Sequence, residues 1–224
     1  MILTVTAGKG GVGKSTVAYN LAAELGAVAV DADLGMPDLP ARRGPDLHDV
    51  LAGRAAPVEA VREDGPVRLL PCGRSLAGVR AVDPTALVET IRSVAQHYGR
   101  VVIDSPAGMR CDVGLPLFAA DACLLVTRPT KSAVADAIRT RELARALDTP
   151  LARVVLNRVE PDRLDDARTE RIATALGGPV TSLPDSEAVA RAQRVGQPVR
   201  MVASDSLAAM QLSSLAREVT RAVA

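Results

Sequence analysis

The first 25 residues constrain the fold of this 224-residue chain more than any other segment. The apolar run 2–6 is followed by the loop 8–16, which reads GKGGVGKST, and then by a helical pattern. A strand, a glycine-rich loop ending in Lys-Ser, and a helix are the context that a P-loop requires. Glycines let backbone N–H groups turn inward around a phosphate, and the helix N-terminus adds the positive end of its dipole. The segment therefore predicts a nucleotide-phosphate site in an α/β fold.

Lysine is rare in this chain, and its placement supports the same interpretation. Of 27 basic residues, only Lys9, Lys14 and Lys131 are lysines, so two of the three lie in one loop. A compact ammonium fits a phosphate cradle, whereas a planar guanidinium is too large. The alternative is a pair of ordinary surface lysines, which this chemical difference disfavours.

Strand and helix patterns alternate along the whole chain, which is typical of a mostly parallel sheet with helices on both faces. We predict one doubly wound α/β domain over residues 1–224, of the P-loop NTPase type. The predicted strands are 2–6, 27–31, 67–71, 101–104, 122–127, 153–157 and 179–182. The predicted helices are 14–25, 47–51, 84–98, 131–147, 164–176, 186–195 and 206–222.

The composition excludes several other classes of protein. A net charge of +1 argues against a dedicated polyanion binder. One Phe, two Tyr and no Trp leave no stacking platform for single-stranded nucleic acid. Cys72, Cys111 and Cys123 form no C-x-x-C pair, so we expect buried thiols in a reducing, cytoplasmic compartment. We see no signal peptide and no apolar stretch long enough to cross a bilayer.

Acidic residues follow two of the predicted strands. Asp104 ends the apolar run 101–103, as in a Walker B strand, and is placed to hold Mg²⁺ through water. Capping of the next turn is the alternative role for Asp104. Asp31 and Asp33 lie on one side of their strand if it stays extended. One of them then orients groups around the metal while the other positions an attacking water, unless both simply form a solvated strand end.

Lys9 stands five residues before Lys14, and an ordinary P-loop does not need it. The chain here resembles the deviant Walker A ATPases of the MinD/ParA class, whose signature is K-G-G-x-G-K-[ST], and it resembles the MinD members most. The resemblance covers nearly the whole chain. The matching segments are KGGVGKS at 9–15, DADLG at 31–35, DSPAG at 104–108, LPD at 183–185 and GQPV at 196–199.

The resemblance implies an ATP hydrolase with Mg²⁺ as cofactor, in which Lys9 reaches across a dimer interface to the partner's phosphates. Asp33 is then the water-positioning residue, with a place near the metal, and Lys14 acts on the phosphates. The implied phosphate and magnesium ligands are Gly10, Gly11, Val12, Gly13, Lys14, Ser15 and Asp104, with Thr16 near the α-phosphate. The implied adenine contacts are Asn157, Arg158 through its backbone, and the backbone near Pro184. From the residues alone, Asn157 also fits an ordinary turn at a strand end.

The resemblance further implies an ATP-dependent homodimer that positions a cellular structure, such as a division site or a chemosensory or motility apparatus, through a partner or activator protein. Direct membrane binding is not expected, because residues 217–224 lack the basic, bulky apolar character of an interfacial helix. Nucleic-acid binding of the ParA kind would need a basic surface. The late arginines that could supply one, which fit solvated helix faces equally well, are Arg191, Arg194, Arg200, Arg217 and Arg221.

Three other functions remain open at this point. One is a nucleotide-dependent regulator without meaningful turnover. A second is a ParA-like, DNA-associated partitioning ATPase. The third is a metal-centre maturation ATPase with Cys111 at the dimer interface, although packing is the more ordinary role for such a cysteine.

Overall fold

The computed structural model describes residues 1–34, 39, 44–73, 85–108, 113–160 and 165–223. Within these ranges, seven strands form one sheet in the order β3-β2-β4-β1-β5-β6-β7, and all neighbouring strands run parallel. This confirms the predicted doubly wound α/β architecture. The strands are β1 Ile2–Thr6, β2 Val28–Asp31, β3 Leu69–Leu70, β4 Val101–Asp104, β5 Ala122–Thr127, β6 Leu151–Val159 and β7 Val180–Pro184.

The helices agree with the predicted positions to within about two residues wherever both ends are described. The predicted starts at 84 and 164 lie outside the described residues. Two short helices, Gly114–Ala119 and Val199–Val202, were not predicted. Each spans fewer than two helical turns and shows no repeating apolar period. The helices are α1 Lys14–Leu25, α2 Leu47–Leu51, α3 Ala86–Tyr98, α4 Gly114–Ala119, α5 Lys131–Ala146, α6 Asp166–Leu176, α7 Glu187–Arg194, α8 Val199–Val202 and α9 Leu207–Val223.

The apolar core lies on both faces of the sheet, as alternate strand residues require. Leu3 and Val5 of β1 pack into the cluster that contains the buried residues of α1 and α9. Ile2, one residue before Leu3, packs on the opposite face with the buried residues of α2 and α3. Helices therefore cover both faces and leave the strand ends as the accessible edge. None of the helices in the described part of the chain has both the length and the apolar character needed to cross a membrane.

The strand register brings the predicted site residues to one edge. Asp31 at the end of β2 is the register partner of Asp104 at the end of β4. Asp104 is also paired with Val5 of β1, which leads into the P-loop. The carboxyl edge of a parallel sheet is where ligands bind in such folds, so the topology places the candidate site there.

Candidate functional site

The glycines of the P-loop are needed for two different reasons. Gly11 and Gly13 have φ values of 76° and 96°, in the left-handed region that side chains with a Cβ rarely adopt. Gly8 is needed for space, since a Cβ there would lie 2.2 Å from the carbonyl carbon of Asp136 in α5. A substitution at Gly8 therefore tests the packing of the loop against α5.

Lys14 is buried at the base of the loop and forms an ion pair with Asp104. Its Nζ lies 2.5 Å from Asp104 Oδ1 and 3.3 Å from Ser15 Oγ, and the two ion-paired side chains are 7% and 0% exposed. Sequence reasoning placed Lys14 on phosphate and Asp104 on magnesium, but did not foresee their direct contact. For both residues to take those roles, this ion pair has to open.

Asp31 and Asp33 differ, because the chain does not stay extended after β2. The Leu34 N–H donates to the Ala32 carbonyl at 3.0 Å, which closes a tight turn. The condition for two carboxylates on one side of a strand is therefore not met. Asp31 is turned onto the backbone and accepts from the N–H groups of Asp33 at 3.3 Å and Leu39 at 3.1 Å.

Burial raises the pKa of Asp31 to about 7, and the neighbouring charge of Asp104 adds to this rise. The backbone N–H donors of Leu39 and Asp33, and the charge of Lys14, oppose it. The Asp31 carboxyl is fully buried, whereas Asp33 retains 9% exposure at the edge of the site. Of the two, Asp33 is better placed to meet a ligand.

Lys9 has surroundings unlike those of Lys14. Its Nζ donates to Ser132 Oγ at 3.2 Å, in an exposed position at the first turn of α5. Lys9 as a whole is half-buried, and Gly10 and Gly11, which follow it, are exposed. One lysine of the loop thus points into the buried site, and the other lies at the surface beside it.

A cavity of about 250 Å³ adjoins the P-loop, and five of the predicted nucleotide contacts line it. Those five residues are Gly13, Thr16, Asn157, Arg158 and Pro184. Asn157 and Arg158 lie where the pairing of β6 with β7 shifts in register, and Arg158 has a φ of 54°. The predicted adenine contacts are therefore brought together with the P-loop at one cavity.

Asn157 also has a contact that sequence reasoning missed. Its Nδ2 donates to the Val12 carbonyl at 2.8 Å. A Cβ on Gly13 would lie 2.1 Å from the same nitrogen, so this glycine makes room for the amide. Asn157 thereby ties the end of β6 to the P-loop, 145 residues earlier.

Helix α7 and the residues that follow it are held against α1 by polar side chains, which were likewise not predicted. Gln193 Nε2 donates to Thr16 Oγ1 at 2.8 Å, and Tyr19 OH donates to the Gly196 carbonyl at 3.0 Å. Asn20 Oδ1 accepts from the Val199 N–H at 2.8 Å, and Asn20 Nδ2 donates to the Thr16 carbonyl. A buried asparagine inside an apolar helical pattern was the available signal, because a buried amide needs partners.

A glycine-rich loop leads from β1 into α1, and its Lys14 is paired with Asp104 at the carboxyl edge of a parallel sheet. This arrangement is that of a P-loop nucleotide-binding protein. The profile of the CobQ/CobB/MinD/ParA nucleotide-binding domain matches residues 3–199, and the chain belongs to this family, within its MinD/ParA P-loop ATPases.

Individual relatives agree with this assignment. An uncharacterised ATP-binding protein of Methanocaldococcus jannaschii is 36% identical over 200 residues, covering 84% of this chain and 76% of the relative. The cell division ATPase MinD of Pyrococcus furiosus superposes with a TM-score of 0.89 at 28% identity, covering 98% of both chains. MinD of Pyrococcus horikoshii, solved in complex with Mg-ADP, gives a TM-score of 0.88 at 28% identity, with 97% and 95% of the two chains covered.

Proposed function

We propose that this protein is a MinD-like ATPase that dimerises around Mg-ATP and uses slow hydrolysis as a switch in positioning a cellular structure. The observation that carries the proposal is that the two P-loop lysines lie in different surroundings. Lys14 lies in the buried site against Asp104, and Lys9 lies at the surface on Ser132. The likeness to a MinD solved with Mg-ADP supports the choice of ligand.

The residues at the strand ends fit a magnesium-bound nucleotide. Gly11 and Gly13 give the loop the left-handed backbone that can turn N–H groups towards phosphate, and Lys14 supplies a cation. Ser15 and Asp104 supply the hard oxygen ligands that Mg²⁺ prefers. When bound, the metal ion neutralises charge on the phosphates. Lys14 would then exchange the Asp104 carboxylate for phosphate oxygens, so its ammonium keeps an anionic partner throughout. Asp33, at the edge of the site, would orient the water that attacks the γ-phosphate.

Lys9 gives the switch its dependence on the nucleotide. A charge pair at roughly 4 Å and an effective dielectric constant near 20 contributes about 4 kcal/mol before desolvation. A Lys9 ammonium placed against the partner's triphosphate would lose part of this attraction once the γ-phosphate leaves. Association of two chains would therefore follow the nucleotide, and hydrolysis would act as a timer.

The test measures phosphate release with Mg-ATP at increasing protein concentration. Since the active species is a dimer, turnover per chain should rise with concentration and then level off. Lys14→Ala should abolish release, and Lys9→Ala should lower it at least about tenfold while ATP still binds. Lys131→Ala is the matched control, because it removes the third lysine of the chain, which is exposed at the start of α5.

Other results would point to other functions. Turnover per chain that is independent of concentration, with Lys9→Ala equal to Lys131→Ala, would contradict a shared active site. If the wild type releases no more phosphate than Lys14→Ala does, the protein is instead a nucleotide-dependent regulator without turnover. The partner protein is to be sought with Asp33→Ala in Mg-ATP, the variant expected to stay in the ATP-bound form.

A further inference from the structure

Two buried side chains outside the P-loop hold the backbone of the segment that carries Asp33. The Cys72 Sγ–H donates to the Asp33 carbonyl at 3.2 Å. His48 Nε2 lies 3.3 Å from the Leu34 carbonyl and 3.4 Å from Cys72 Sγ. Cys72 is 0% and His48 2% exposed. We call these two residues the thiol–imidazole pair.

The proton positions in the pair are set by its acceptors. A carbonyl can only accept, so the tautomer with the proton on Nε2 is the one that lets His48 donate to Leu34, while the thiol donates to Asp33. Burial, with the charges of Asp31, Asp33 and Asp46, raises the pKa of the Cys72 thiol well above its usual range. The sulfur therefore remains a protonated donor at physiological pH.

The start of α2, which carries His48, is itself held by local hydrogen bonds. The Asp46 side chain accepts from the Asp49 N–H and the Asp49 side chain from the Asp46 N–H, which forms a capping box at the start of α2. At the same helix start, the His48 N–H donates to the Cys72 carbonyl at 3.1 Å. The two members of the pair are thus linked through the backbone as well as through their side chains.

The same segment is also held by the ends of β2 and β4. The Ala32 N–H donates to the Asp104 carbonyl at 2.9 Å, and the Asp33 N–H donates to the Asp31 carboxyl. Residues 32–34 are therefore held between the end of β4 and the thiol–imidazole pair.

We propose that Cys72 and His48 are positioning residues for hydrolysis: by hydrogen bonding to the carbonyls of Asp33 and Leu34, they fix where the Asp33 carboxylate stands. This inference rests on the proposed role of Asp33 in ATP hydrolysis. Small displacements of a group that orients a reactant are costly in rate, whereas nucleotide binding depends on the P-loop and is spared. The pair should therefore act on kcat and leave ATP affinity unchanged.

The test compares Cys72→Ala with Cys123→Ala in the full-length protein. Both residues are buried free cysteines, and Cys123 lies on β5 in a separate apolar cluster. Cys72→Ala should lower kcat about five- to tenfold, the rate equivalent of one hydrogen bond, with the Kd for ATP within twofold of the wild type. Cys123→Ala should leave kcat unchanged. Cys72→Ser restores a donor and should recover at least half of the missing rate.

Asp33→Ala distinguishes the failure of this inference from the failure of the proposed function. If Asp33→Ala is inactive, Cys72→Ala in that background should lower the residual rate no further. Wild-type turnover in Asp33→Ala would overturn the role of Asp33 itself. An inactive Asp33→Ala together with Cys72→Ala at the wild-type rate would overturn only the positioning role, as would equal reductions in Cys72→Ala and Cys123→Ala.

A second readout needs no nucleotide. Amide hydrogen exchange at Asp33 and Leu34 should speed up in Cys72→Ala and stay at the wild-type rate in Cys123→Ala. If Cys72→Ala does not fold, the same comparison is made with His48→Gln, which keeps a donor, and His48→Leu, which does not. Unchanged exchange in Cys72→Ala, or in His48→Leu relative to His48→Gln, would contradict the inference.

Discussion

At the scale of single residues, Asp31 and Asp33 show how the same functional group acquires different properties two positions apart. Asp31 is fully buried and caps two backbone N–H groups, whereas Asp33 stands at the edge of the site. The residues alone identified both as strand-end carboxylates without separating their roles, and only the resemblance to the MinD/ParA class singled out Asp33. Their difference comes from the turn at 32–34 and from Leu39, eight residues beyond Asp31.

The raised pKa of Asp31 predicts a specific dependence of stability on pH. The folded chain keeps this proton up to about pH 7, while the unfolded chain releases it near the ordinary value of 3.8. Between these values the free energy of unfolding should fall as pH rises, by about 4 kcal/mol at most. Urea unfolding of the wild type and of Asp31→Asn at several pH values, without nucleotide or metal, measures this change in the free energy of unfolding.

Asp31→Asn does not titrate, so the wild type should lose stability relative to this variant from pH 4 to pH 8. A stability difference that stays constant or grows in favour of the wild type would show that folding does not raise the pKa of the Asp31 carboxyl.

At the scale of secondary-structure elements, the P-loop is held by elements distant in sequence. α5 packs against Gly8, β6 reaches Val12 through Asn157, and α7 reaches Thr16 through Gln193. The sequence predicted most of these elements, since each shows a clear period of apolar residues. It did not predict their contacts, because tertiary hydrogen bonds leave no local pattern.

The packing of α5 against the loop predicts a large difference between two substitutions two residues apart. Gly8→Ala should lower the free energy of unfolding by about 2–3 kcal/mol or more, because its Cβ would meet the α5 backbone, which cannot turn aside as a side chain does. Gly10→Ala has no atom within 4 Å of its Cβ and should stay within about 0.5 kcal/mol of the wild type.

Chemical denaturation of Gly8→Ala, Gly10→Ala and the wild type, without nucleotide, measures these differences in the free energy of unfolding. Equal stabilities would mean that α5 does not pack against the loop at Gly8.

At the scale of the whole molecule, the architecture could be predicted well from the sequence. All seven strands were predicted at the right places, because a parallel sheet buried on both faces produces apolar runs separated by helical periods. The P-loop could be located from its glycines and lysines between a strand and a helix, and the strand-end carboxylates from the apolar runs before them. The Lys14–Asp104 ion pair and the thiol–imidazole pair could not, since they join residues 90 and 24 positions apart whose proximity only the folded chain creates.

The Lys9 ammonium lies at the surface, on Ser132. A cation held at the surface beside the nucleotide site is available to a second chain as well as to its own. In the proposed function, two chains therefore associate over ATP through Lys9, and hydrolysis, which depends on Asp33, ends the association.

The most direct test is the mass of Asp33→Ala in solution, measured by light scattering after size exclusion in Mg-ATP and in Mg-ADP. We expect twice the mass of one chain in Mg-ATP, one chain in Mg-ADP, and one chain in both nucleotides for Asp33→Ala combined with Lys9→Ala. A monomer in every nucleotide for Asp33→Ala alone, or a dimer that persists without Lys9, would contradict the account.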